Sequence, residues 1–283
     1  MQNIIEPFKN AMLDSIGSAP ETIIGDGKLH RFKIEGKLTA WYSLHLDGVA
    51  AGAFGDWKQG VKECWKMTGT FKKLTGAEKQ AFAIERQRQA EQRKAEEKTR
   101  HNAAIQKAAY IWSRSTPVIN HQYLSKKRVQ AHNVRSYRGS LVVPLYDEAG
   151  LLVSIQFIGD DGTKRMMKGG KAQGACCFIG DATDLTRDKP ILICEGWATG
   201  ASLYQEAGHF TIVAFSAGNL TAIAIQTRKR HQANEIIICG DNDESGVGQK
   251  AARSAALAIG GKYILPPTVG HDWNDSINME VVL

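Results

Sequence analysis

Two apolar runs in the C-terminal third stop abruptly at acidic residues and glycine: Ile191-Leu-Ile-Cys-Glu195-Gly196 and Ile236-Ile-Ile-Cys-Gly-Asp241-Asn-Asp243-Glu-Ser-Gly246. In an open parallel sheet, ligands collect outside the carboxyl ends of the strands, so two such runs deliver Glu195, Asp241 and Asp243 to one crevice. Converging carboxylates suit Mg2+ or Mn2+, hard cations that take oxygen ligands; Mg2+ in particular keeps several waters and bridges substrate phosphates. Asp241 and Asp243 point the same way as long as the backbone beyond the strand stays extended. Gly246 permits a sharp turn into a helix whose first N–H groups attract phosphate. Helix capping is the competing employment for Asp243 or Ser245, but it accounts for one acid and not for three. Further on, His271-Asp272-Trp-Asn-Asp275 offers two more carboxylates to the same rim, or forms an ordinary Asx-rich turn.

The elements that position these groups follow from the surrounding pattern. From Pro190 the chain alternates strand 191–194, helix 198–207, strand 210–215, helix 219–231, strand 235–239, helix 246–259 and strand 262–265, then a final loop and tail. Short connections between such elements imply right-handed crossovers and a parallel α/β sheet. Before it, runs 140–146, 151–158 and 163–168, separated by turns at 147–150 and 159–162, read as an antiparallel meander. Its end presents Lys164, Arg165, Lys168 and Lys171, whose ordinary reading is a solvated edge that discourages strand pairing. A short helix is expected around 121–128. Residues 77–115 are rich in Ala, Glu, Gln, Lys and Arg without Pro or Gly, which predicts a long charged helix joining two domains. Residues 1–76 open with a short helix and continue as alternating runs punctuated by glycine, a small antiparallel sheet. Its aromatics Phe32, Trp41, Tyr42, Phe54 and Trp57 either stack on single-stranded bases or form a small core. The expected division is therefore 1–76, 77–115, 116–188 and 189–283.

Composition narrows the function. The 283 residues carry a formal charge of +7, and Lys58 to Arg138 holds 19 Lys and Arg against 6 Asp and Glu, leaving the remainder net acidic. A basic middle beside an acidic-centred sheet suits a polyanionic substrate held near bound cations. No apolar run is long enough to span a bilayer and the first residues lack a secretory pattern, so a cytoplasmic protein without a membrane partner is expected. Cysteines 64, 176, 177, 194 and 239 form no CxxC pair and are read as packing residues, with no zinc expected. No GxxxxGK[ST] segment is present, and Gly169-Gly-Lys171 lacks the spacing and hydroxyl residue of a phosphate loop.

At Glu195-Gly196 and Asp241-Asn-Asp243-Glu-Ser-Gly246 the sequence resembles the Toprim domain, the metal-binding module of DnaG-type primases, of type IA and II topoisomerases and of certain nucleases and recombination proteins. The likeness to primases extends upstream. Leu141-Val-Val-Pro-Leu-Tyr-Asp-Glu-Ala-Gly-Leu-Leu-Val looks like the strand–turn–strand of the primase core, and Lys164-Arg-Met-Met-Lys168 looks like the basic segment after it. Ala214-Phe-Ser-Ala-Gly218-Asn resembles the loop after the second Toprim strand, and His271-Asp-Trp-Asn-Asp275 the late acidic motif. The N-terminal part is more like the front ends of primases from phages, prophages and conjugative plasmids. The resemblance implies a Toprim Rossmann-like sheet, an upstream α+β primase subdomain, a helical connector and a small β-rich N-terminal domain that serves DNA or template binding without zinc. Two departures stand out: Ala198-Thr199-Gly200 occupies the place of a usual acid, and residues 1–76 contain only Cys64 where a zinc ribbon is usual.

The implied function is a DNA primase that makes short RNA primers on single-stranded DNA from nucleoside triphosphates, with a separate replicative helicase as partner. Glu195, Asp241 and Asp243 would be catalytic, with Asp272 or Asp275 completing the metal set. Glu195 would be a ligand or would assist deprotonation of the primer hydroxyl. Arg135, Arg138, Arg165, Lys168 and Lys171 are the candidates for template and triphosphate phosphates, while Gly196, Gly218 and Gly246 serve structural turns. A Toprim nuclease, or a non-catalytic single-strand or replication-origin binding protein, stays open as an alternative.

Overall fold

The computed structural model of the chain describes residues 4–46, 49–57, 60–67 and 76–280. Two compact units divide at Arg86. The first opens with helix α1 (Ile5–Ile16), closed by Gly17 in the left-handed conformation at φ 68. Strands β1 (His30–Ile34), β2 (Lys37–His45), β3 (Ala51–Asp56) and β4 (Val61–Lys66) then form an antiparallel sheet in sequence order. Phe8, Met12 and Ile16 of α1 pack on Tyr42, Leu44 and Phe54. Phe8 sits edge-on to Tyr42, Phe54 and Trp65 at 6.2, 5.7 and 5.2 Å. Because side chains alternate across a strand, burying Tyr42 sends Trp41 to the opposite face. The aromatics of this region therefore split between a core and an outer face. Cys64, expected to pack, is exposed on β4.

Helix α2 (Gly76–Arg114) crosses the division between the units. It carries solvated i,i+4 pairs such as Gln87 with Glu91 and Gln92 with Glu96. No helix among the described residues is long and apolar enough to cross a membrane.

In the second unit, β5 (Thr116–Pro117), α3 (Gln122–Lys127), β6 (Arg135–Tyr137), β7 (Ser140–Tyr146), β8 (Leu152–Ile158) and β9 (Lys164–Met166) come first; their strands form one antiparallel meander in sequence order. After them come β10 (Cys177–Ile179), β11 (Ile191–Cys194), α4 (Trp197–Ala207), β12 (Thr211–Val213), α5 (Ala217–Arg230), β13 (Ile236–Cys239), α6 (Val247–Ile259), β14 (Lys262–Ile264) and α7 (Trp273–Glu280). The second sheet has the order β10-β12-β11-β13-β14, with β12, β11, β13 and β14 parallel and β10 antiparallel at the edge. This is the α/β assembly that the alternating pattern predicts.

Alternation partitions the core. Leu192, Cys194, Val213 and Cys239 face α4 and pack with Leu141, Val143 and Ile158 of the meander. Ile191, Ile193, Ile236 and Ile238 face the other way, toward Leu220 and Ile223 of α5 and Ala252 and Ala255 of α6. Val142 and Ile155, on the far side of the meander, cover Ala104, Ala108 and Ile111 of α2. The meander is thus clamped between α2 and the parallel sheet.

Four elements differ from expectation. β5, with two residues, and β6 and β10, with three each, are too short to display a period. Helix α7 stands where a loop and tail were expected, because Asp272 and Asp275 cap it reciprocally: the Asp275 N–H donates to Asp272 Oδ1 at 2.9 Å and the Asp272 N–H to Asp275 Oδ2 at 3.3 Å.

Candidate active site

The chain leaves β11 to one side for β12 and returns past it to β13 on the other, so the crevice between β11 and β13 is the topological switch point of the sheet. Cys194 and Cys239 pair in register there. Glu195 directly follows one strand and Asp241 closely follows the other. Each is half-buried, and each has a buried oxygen without a hydrogen-bond partner, Oε1 of Glu195 and Oδ1 of Asp241. Burial, reinforced by the charges of Asp241 and Asp243, pushes Glu195 up to about 7, against the opposing pull of the Ala217 N–H at the start of α5. Burial, then the Asp272 charge, pushes Asp241 up to about 6, with Lys164 opposing. Phe215, just before α5, holds a positive φ of 67. That conformation is strained for a bulky side chain and costs about 1–3 kcal/mol.

Asp243 has a different environment. Its Oδ1 accepts from the Ser245 hydroxyl at 2.6 Å and the Val247 N–H at 3.2 Å, and its Oδ2 from the Gly248 N–H at 2.7 Å. Burial acts to raise its pKa, but these bonds outweigh it and hold the carboxyl below its ordinary value. Asp243 therefore caps α6 and occupies backbone donors that were expected to attract phosphate. Gly248 is part of the same turn, since a Cβ there would come within 2.6 Å of the Asp241 carbonyl oxygen and 2.8 Å of Asp243 Oδ2. Gly246 supplies the left-handed φ of 73 at the helix entrance, whereas Gly218 lies in the first turn of α5 with open space around it.

Asp272 and Asp275 are tied to Lys127 of α3, whose Nζ lies 3.3 Å from Asp275 Oδ1 and 3.9 Å from Asp272 Oδ2. Nearby, burial and then the Asp272 charge push the Tyr123 hydroxyl up to about 12. A strand-like bridge between Asn242 and His271 holds this segment against the 241–243 loop.

The basic run after β8 divides by register. Lys164 is paired with Ile158, which faces the parallel sheet, and Arg165 with Phe157, which faces the opposite way. Lys164 accordingly reaches the crevice: a Cβ on Gly196 would lie 3.9 Å from its Nζ and 3.2 Å from the Thr199 hydroxyl. Which residue of the basic run faces the crevice is set by the register of this hairpin and not by alternation along the sequence. Arg165, Lys168 and Lys171 are exposed. Arg135 stacks on Trp112 at 4.3 Å and donates to its carbonyl oxygen, and Arg138 lies 5.3 Å over Tyr137. Arg135 is thereby engaged in holding the end of α2.

Among the described residues no three His, Cys, Asp or Glu side chains form a ready metal cage. Glu195 and Asp241 nevertheless fit a magnesium-type ion, since each keeps a buried carboxylate oxygen without a hydrogen-bond partner and such ions complete their shell with water and phosphate.

Residues 190–281 match the family model described as Toprim domain. Two curated relatives from Escherichia coli, both named DNA primase TraC, are 35% identical over 261 residues and 33% identical over 258. Each alignment covers 86% of this chain, but only 18% and 24% of the relatives, so the chain spans less than a quarter of their length. Among solved structures, a DnaG primase catalytic domain bound to ssDNA is 11% identical with a TM-score of 0.45, covering 64% of this chain and 76% of that one. The parallel sheet that brings Glu195 and Asp241 together, residues 190–281, is a Toprim domain.

Proposed function

We propose that the chain acts as a DNA primase, building short RNA primers on single-stranded DNA from nucleoside triphosphates in the replication of a phage, prophage or plasmid. The observation that carries this reading is the extent of the likeness. Similarity to proteins named DNA primase runs over 86% of the chain, far upstream of the Toprim domain, and a fold module alone does not define a chemistry.

Glu195 and Asp241 would hold a magnesium or manganese ion, with Asp243 shaping the loop between them and α6. An ion bound there supplies charge against the triphosphate and departing pyrophosphate and lowers the pKa of the primer 3′-hydroxyl. Glu195, with a pKa of about 7, is poised either to ligate or to take the hydroxyl proton. Lys164, beside Gly196, offsets phosphate charge within the crevice. The exposed Arg165, Lys168 and Lys171, with Arg138, hold template or triphosphate phosphates, which makes binding fall steeply with salt. Arg135 supports that surface by its contact with Trp112. Strand separation is assigned to a separate helicase.

The test is incorporation of radiolabelled nucleotides on single-stranded DNA with magnesium or manganese. Wild-type protein is expected to make short primers, and Asp241→Asn to lose at least about 100-fold in rate. Equal synthesis by the variant would overturn the site. Degradation of the strand without incorporation would transfer the same residues to a nuclease.

A further inference from the structure

We propose that the outer face of the N-terminal sheet is a stacking and phosphate-binding surface for single-stranded DNA, an inference that rests on the template-directed activity proposed above. Strand register defines what this face carries. Arg31, Trp41, Gly55 and Lys62 lie opposite one another in one row across all four strands, pointing away from α1. Lys33 and Lys66 are exposed on the two edge strands. Arg86 lines a cavity of 370 Å³ over Ser43, Ala51 and Ala53 of the same face. Among the described residues, the outward positions of these strands include no Asp or Glu.

The aromatic part is preformed. The Trp41 and Trp57 rings stack at 6.0 Å and 29°, and the Arg31 guanidinium sits 4.7 Å over Trp57 while donating to the Leu38 carbonyl oxygen at 2.9 Å. Gly55 makes room for this group, since a Cβ there would meet Trp41 Nε1 at 3.1 Å. Trp57 stays 52% exposed although its ring is held between Trp41 and Arg31. An immobilised ring that stays in water offers a platform to any base whose face is free, and surrounding cations meet the phosphates. Ala51 and Ala53, half-buried on the same face of β3, add only methyl groups beside this platform. Duplex DNA keeps its base faces stacked, so the surface selects single strands.

The experiment measures binding of full-length protein to a labelled oligo(dT) and to a duplex of equal length, with thermal unfolding of each variant as the folding control. Trp57→Ala is expected to weaken oligo(dT) binding by about five-fold or more, and Trp57→Phe to retain most of it. Lys62→Gln with Lys66→Gln is expected to flatten the dependence of log K on log salt by roughly 0.7 for each phosphate that is no longer neutralised. Duplex binding is expected to stay unchanged by Trp57→Ala, and in primer synthesis that variant is expected to raise KM for template. Unchanged oligo(dT) binding in folded Trp57→Ala and in the lysine variant overturns the surface, as does an equal loss for duplex. If wild-type protein makes no primer while Trp57→Ala still loses oligo(dT) binding, the catalytic reading fails and the surface stands.

Discussion

Glu195 and Asp241 stand just beyond the in-register pair Cys194 and Cys239 at the ends of β11 and β13, where burial pushes Glu195 up to about 7 and Asp241 up to about 6 and the Asp241 charge adds to the rise in Glu195. Both values lie above the ordinary 4.5 and 3.8. The folded state thus binds these protons more tightly than the unfolded chain. Their contribution to stability is complete below the ordinary values and is lost as pH rises through about 6 and then about 7.

Metal-free protein should therefore become less stable from pH 5 to pH 8 on account of this pair. Glu195→Gln and Asp241→Asn should remove that slope and gain about 1–3 kcal/mol at the upper end, the scale of relieving a buried partnerless group. Magnesium should raise the melting temperature of wild type at pH 8 and leave the variants unmoved. Thermal unfolding in EDTA and in magnesium, across this pH range, measures both; a wild-type curve indifferent to metal and pH would contradict the assignment.

Asp243 should behave with the opposite sign. Because it caps α6 through the Val247 and Gly248 N–H groups, Asp243→Ala should cost about 0.5–2 kcal/mol at neutral pH. Its lowered pKa means that this stabilisation is present above the unfolded value and is lost as pH falls through the folded one. Denaturant titration at pH 7 and pH 3 distinguishes it from Glu195 and Asp241, whose amides should not destabilise at neutral pH.

Lys164 lowers the Asp241 pKa, so Lys164→Met should move the acid limb of the pH–rate profile to higher pH as well as slow synthesis. Arg165, on the other side of the same strand, serves as the control: Arg165→Met should change salt dependence without moving that limb. A profile that shifts equally in both variants would show that register does not separate their roles.

Asn219 fastens the 172–175 segment to the parallel sheet. Its amide donates to the carbonyl oxygens of Ala172, Ala175 and Ala214 at 3.2, 3.0 and 2.9 Å and accepts from the Gly174 N–H at 2.8 Å. Asn219→Asp places a buried carboxylate against those carbonyls and should cost about 3 kcal/mol, whereas Asn219→Ala should cost about 1–3 kcal/mol. Thermal unfolding of the two variants measures the difference.

The strands ending at Glu195 and Asp241 were legible in the sequence because apolar runs, their abrupt ends and the following helices are local patterns. The same holds for the meander, the long charged helix and the parallel order implied by alternation. Which acids remain free for a cation was not legible. Asp243 loses its oxygens to a cap two to five residues away, a possibility that the sequence posed but did not decide. Asp272 and Asp275 meet Lys127, which is remote in the chain, and Lys164 reaches Gly196 because the meander packs face-on against the parallel sheet. Hydrogen-bond partners and desolvation depend on neighbours in space, so only the tertiary structure separates a buried, partnerless carboxylate from one that serves as a cap.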